Sequence, residues 1–234
     1  MDVKKLWSFF FPSGVLTLAI TGLLLAAASR ETLSRFSSTI FFVALAVGLF
    51  FTLRFGRSKH FFVVLMLMSM AALSPLLIPA APAAMTVRQV FYYHCAALLV
   101  PLHCALFAWW QERGLLNAWG LSRLLWILLV VTAVATAGML PEVLEHPHVA
   151  RFFLTGPLPG HPRFPLIPLA ATVLSLAWLL IMYLQDPSPA RDGFFWAAVL
   201  AAIAFFPQNG PVFFRLAASG AVGVLLISMI ETGH

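Results

Sequence analysis

Few residues in this sequence can do chemistry, and they fall into three groups. The first holds Glu142, Glu145, His146, His148 and His161, all in a polar stretch between two apolar runs. Carboxylates and imidazoles at that density can ligate a divalent cation such as zinc, and His146-Pro147-His148 offers two ring nitrogens within three residues. No CxxC, HExxH or HxxxH spacing accompanies them, so an ordinary polar loop is the competing reading.

The second group is Tyr92-Tyr93-His94-Cys95 with His103, inside one apolar run. Ionisable groups within a membrane span are costly and are functional candidates by default. Nine residues at 100° each put His94 and His103 on opposite faces of a straight helix, so they cannot easily share a metal. A bis-histidine haem would need partners on other helices, and only His60 lies near one.

The third group is set by depth. Arg88, Gln89, Tyr92, His94, Gln208, Asn209 and Arg215 all fall near one end of their apolar runs. Together they are a candidate ligand pocket beneath the 141–164 stretch, with snorkelling as the alternative role of Arg215. Catalytic signatures are missing: there is no Walker sequence, nucleophile elbow or dinucleotide fingerprint. The eight acidic residues read as loop or helix-end residues, which argues against ion-coupled transport. No cofactor is expected, with a divalent metal or haem as the open alternatives.

The elements that position these residues follow from composition. Of 234 residues, 62% are hydrophobic and 9% charged, and the mean hydropathy is +0.96. Soluble domains run near 45–50% apolar and about 25% charged, so this is a polytopic membrane chain. A single all-helical transmembrane bundle spanning 1–234 is expected. It has eight spans, near 9–29, 37–53, 61–81, 89–110, 124–140, 165–184, 194–207 and 212–231. The stretch 111–123 reads as a short interfacial helix, and 141–164 as a long outer loop.

Net charge is +6, but the bases stand singly between apolar runs, which points to topology and anionic lipid rather than nucleic acid. With the N-terminus inside, Lys4, Lys5, Arg54, Arg57, Lys59, Arg113, Arg123 and Arg191 lie on the inner side. Arg30, Arg35, Arg88, Arg151 and Arg163 lie on the outer side. All seven tryptophans fall on the inner half under the same alternation. Both termini therefore read as cytoplasmic, in a bacterial inner membrane.

Cys95 and Cys104 are nine residues apart, about 13 Å along a helix, too far for a disulfide. Pro75 and Pro101 are expected kinks. Small residues at Ala197, Ala201, Ala217, Gly220, Ala221 and Gly223 allow close helix approach, either within the chain or along a homodimer seam.

The last run leaves through Leu226-Ile227-Ser228-Met229-Ile230-Glu231-Thr232-Gly233-His234. This resembles the junction where multi-span sensor regions of GGDEF-type diguanylate cyclases hand over to their catalytic domain. The GGDEF motif itself is absent from the chain. The resemblance implies a sensor without enzymatic activity of its own. It would receive an unknown small ligand and relay the signal through the last helix to a dimeric cytoplasmic output domain that makes c-di-GMP. A small-molecule transporter, or a haem- or quinone-binding membrane subunit, is the alternative.

Overall fold

The computed structural model describes residues 7, 9–27, 31–72, 86–150, 166–204 and 210–233. Among these the chain is all-helical, with no strand. The helices are α1 (Ser13–Ala27), α2 (Glu31–Arg54), α3 (Ser58–Ala72), α4 (Val87–Trp109), α5 (Ala118–Ala137), α6 (Pro141–Glu145), α7 (Pro147–Val149), α8 (Leu166–Gln185), α9 (Pro189–Ala204) and α10 (Gly210–Gly233).

Among the described residues five helices are long and apolar enough to cross a membrane: Phe36–Arg54, Val87–Trp109, Ala118–Ala137, Ile167–Gln185 and Phe214–Thr232. Their outer faces expose large side chains such as Phe42, Phe50, Leu125, Leu129, Leu174 and Ile181. So broad an apolar surface suits lipid and not water. The chain is a multi-pass membrane protein.

Two neighbourhoods share one core. α10 packs on α9, α2, α1 and α3, while α4 packs on α8, α9, α3 and, more lightly, α5. α9 stands between them. Small residues allow its close contact with α10, the most extensive in the bundle. Ala197, Ala201, Ala217 and Ala221 are all at most 2% exposed. A Cβ on Gly220 would stand 2.8 Å from Ile20, whereas Gly223 has open space beside it. These four alanines are packed inside the chain.

α4 keeps a continuous run through Pro101. Proline cannot donate to the carbonyl four residues back, which leaves Ala97 O without its helical partner. Thr172 Oγ1 of α8 lies 3.5 Å from that oxygen, and its shorter contact, 2.9 Å, is to Pro168 O. Neighbouring hydroxyls of this kind are how membrane helices tolerate proline.

Several expected boundaries are corrected. No separate interfacial helix covers 111–123: residues 111–117 are irregular, and 118–123 open α5 on an Asn117 cap. α2, α3 and α9 all begin before their apolar runs do, because Glu31, Ser58-Lys59 and Pro189-Ala190-Arg191-Asp192 join the first turn. The long loop opens with two short helical turns, α6 and α7. Pro75 and the far part of the 61–81 span lie outside the described residues.

Candidate functional site

The main concentration of buried polarity lies where α10 ends, beside the α2–α3, α4–α5 and α8–α9 turns. α2 closes on Gly56, whose φ of +66° is a conformation that glycine adopts freely. Gly56 N donates to Leu53 O, and Arg57 N donates to Thr52 O, which together satisfy the last carbonyls of α2. That closure aims Arg57 at α10, where Nη2 donates to Thr232 O at 3.2 Å.

The next residues start α3 and build a network toward α5. Ser58 Oγ donates to Glu112 Oε1 at 2.5 Å, and Lys59 N to the same oxygen at 3.3 Å. Lys59 Nζ donates to Ala108 O. Arg123 is only 4% exposed, and reaches Ser58 Oγ at 3.2 Å and Gln111 O at 2.5 Å. On the far side, Arg191 donates to Met182 O and pairs with Asp186 at 3.2 Å, which fastens the α8–α9 turn.

His60 is buried under α10. Ser228 Oγ spends its proton on Leu225 O at 2.9 Å, so it accepts from His60 Nε2 at 3.4 Å. Among the described residues His60 Nδ1 has no hydrogen-bond partner. Gly193 of α9 lies against the Ser228 side chain with no room for a Cβ.

Asp192 is one of the acids read as loop or helix-end residues, and it does sit in the first turn of α9, but it is buried there. It is 2% exposed, just before the apolar stretch that starts at Phe194, and among the described residues its Oδ1 has no hydrogen-bond partner. Burial pushes its carboxyl up to about 7; Ser13 and Trp196 oppose the rise and Glu231 adds to it. Trp196 Nε1 itself donates to Phe9 O at 2.8 Å, so it is already engaged with the backbone.

The residues singled out by sequence lie mostly at the opposite end. Arg88 is exposed. Gln89 is occupied as a cap: its Oε1 accepts from Thr86 N at 2.9 Å and its own N–H donates to Thr86 Oγ1. Tyr92 is buried, donates to Ala135 O at 3.0 Å and lies on Gly138, where a Cβ would collide with the ring. His94 is buried beside Tyr93. Arg215 turns to α2, donating to Ser38 Oγ at 2.7 Å and Ser37 Oγ at 3.4 Å. Tyr92 is thus engaged with α5, and Arg215 with α2. Gln208 and Asn209 lie outside the described residues.

The rings of His146 and His148 lie with centroids 5.4 Å apart and tilted by 33°, just after Glu142 and Glu145 of α6. Among the described residues no three His, Cys, Asp or Glu side chains gather as metal ligands, and His161 lies outside them. In α4, His103 Nδ1 donates to Leu99 O at 2.7 Å, leaving Nε2 to accept from Trp126 Nε1 at 3.1 Å. Both ring nitrogens are engaged, which leaves no lone pair for haem iron. Cys95 and Cys104 are free and buried.

Sequence reasoning missed Arg57, Ser58, Glu112, Arg123 and Asp192 as a group. The bases were assigned to topology, and the available signal was Glu112, a lone acid between two tryptophans and two arginines. No family model matches the chain, and neither does any curated protein or solved structure.

Proposed function

We propose that the chain is a membrane-embedded sensory module whose last helix relays a signal to a cytoplasmic output domain. One observation carries this reading: α10 is tied to α2 and the turn that follows it at three levels along its length. Arg215 bonds Ser38 near its start, Val222 sits against Gly48 at its middle, and Arg57 caps Thr232 at its last turn. A rigid helix held at both ends passes a displacement from one end to the other.

On this reading the bundle crosses a bacterial inner membrane eight times with both ends in the cytoplasm, and the Arg57 end is the cytoplasmic one. Resemblance at the exit makes c-di-GMP synthesis the output, in a homodimer. The stimulus is a small ligand at the outer end.

The test joins the chain at its C-terminal end to a cytoplasmic GGDEF domain and measures c-di-GMP in cells. Arg57→Ala and Arg215→Ala should each change output several-fold at equal membrane abundance. Output indifferent to both would overturn the relay. Substrate flux in proteoliposomes would favour a transporter, and a Soret band in the purified protein would favour a haem subunit.

A further inference from the structure

The turn between α4 and α5 encloses a half-open cleft of about 230 Å³, lined by Trp110, Gln111, Arg113, Trp119, Ser122 and Arg123. Among the described residues two guanidinium groups line it and no carboxylate does. Arg113 stacks on Trp119, with Cζ 4.6 Å from the ring centroid, while its Nε and Nη2 share Gln111 Oε1. Arg123 lies between the rings of Trp110 and Phe62, at 5.3 and 5.7 Å.

Charge is out of balance here. Among the described residues Arg123 and Lys59 both feel the charge of Glu112, Arg113 adds a third cation beside Arg123, and Glu112 Oε1 already accepts from Ser58 and Lys59. The hydrogen bonds of Arg123 to Ser58 and Gln111 use two of its five N–H donors. A buried guanidinium short of counter-charge and acceptors is costly, and an anion in the cleft supplies both. Tryptophans at this level are side chains that favour the membrane–water interface.

We propose that this cleft binds a phosphate group, presented by the headgroup of an anionic phospholipid. Arg123 supplies the fixed charge at the base and Arg113 closes over the phosphate from the rim. Trp110 and Trp119 flank the glycerol. The site does not depend on the sensory reading, since it needs only a bilayer edge at this level of the bundle.

Thermal unfolding and native mass spectrometry of the full chain in neutral detergent test it. Phosphatidylglycerol should raise Tm and stay bound, with phosphatidylcholine doing much less at equal concentration. Arg113→Gln and Ser122→Asp, both on exposed positions, should each weaken phosphatidylglycerol binding about tenfold without lowering the lipid-free Tm. Arg88→Gln, at the opposite end, should bind like the wild type. Equal shifts from the two lipids, or full binding by both cleft variants, would overturn the proposal. A full shift from millimolar inorganic phosphate alone, lost in the cleft variants, keeps the phosphate site and makes its ligand soluble.

Discussion

Arg57 Nη2 donates to the carbonyl oxygen of Thr232 across 3.2 Å, so a residue 175 positions earlier caps the last turn of α10. Helix C-termini leave carbonyls without intrahelical partners, and a guanidinium there also suits the negative end of the helix dipole. The link depends on Gly56, because the turn that aims Arg57 needs its positive φ.

Removing that cap should loosen the turn without unfolding the bundle. Arg57→Ala is expected to cost about 1 kcal/mol locally, which is roughly fivefold faster hydrogen exchange. Exchange of the 228–233 amides measures it directly. Unchanged protection there would show that Thr232 O has found another donor.

The middle of the same helix pair is controlled by the absence of a side chain. A Cβ on Gly48 would stand 2.6 Å from Val222 Cγ1 and 3.3 Å from Val64 Cγ1. Gly48→Ala should therefore destabilise by about 1–3 kcal/mol through overpacking. Val222→Ala in the same chain should recover part of the loss. A double-mutant cycle in thermal unfolding reads the coupling, and strict additivity would mean α2 and α10 do not meet there.

Helix existence was legible in the sequence because apolar run length is a direct consequence of bilayer thickness. Helix starts were not, since Ser58-Lys59 and Pro189-Ala190-Arg191-Asp192 are polar yet belong to first turns. Rotation was also hidden. Trp119, Ser122 and Arg123 are neighbours in a stretch that reads as a short interfacial helix, but of the three only Arg123 turns inward, toward Ser58. Hydropathy carries no information on facing, so the buried network went unseen while the exposed Arg88 looked equally promising.

His103 and Trp126 join α4 to α5 where the two helices otherwise make little contact. Trp126→Phe should keep the ring in place but leave His103 Nε2 buried without its donor. The expected cost is about 1–3 kcal/mol, seen as a lower Tm. His103→Asn together with Trp126→Phe should cost less than the two changes summed. Loss equal to the sum would deny the hydrogen bond.

Asp192 makes stability depend on pH in a direction opposite to a salt-bridged carboxylate. Its ordinary value is near 3.8, and burial raises it to about 7 in the folded chain. Below about pH 4 the group is protonated whether the chain is folded or not, and its burial costs no charge. As pH rises toward about 7, the unfolded chain releases the proton and the folded chain holds it, so stability falls through this window. Ser13 and Trp196 offset only part of that penalty, while Glu231 adds to it. Asp192→Asn cannot ionise and removes this slope. The variant should match the wild type in Tm near pH 4 and exceed it by several degrees near pH 8. Parallel Tm curves for the two chains from about pH 4 to about pH 8 would mean that water reaches the carboxylate.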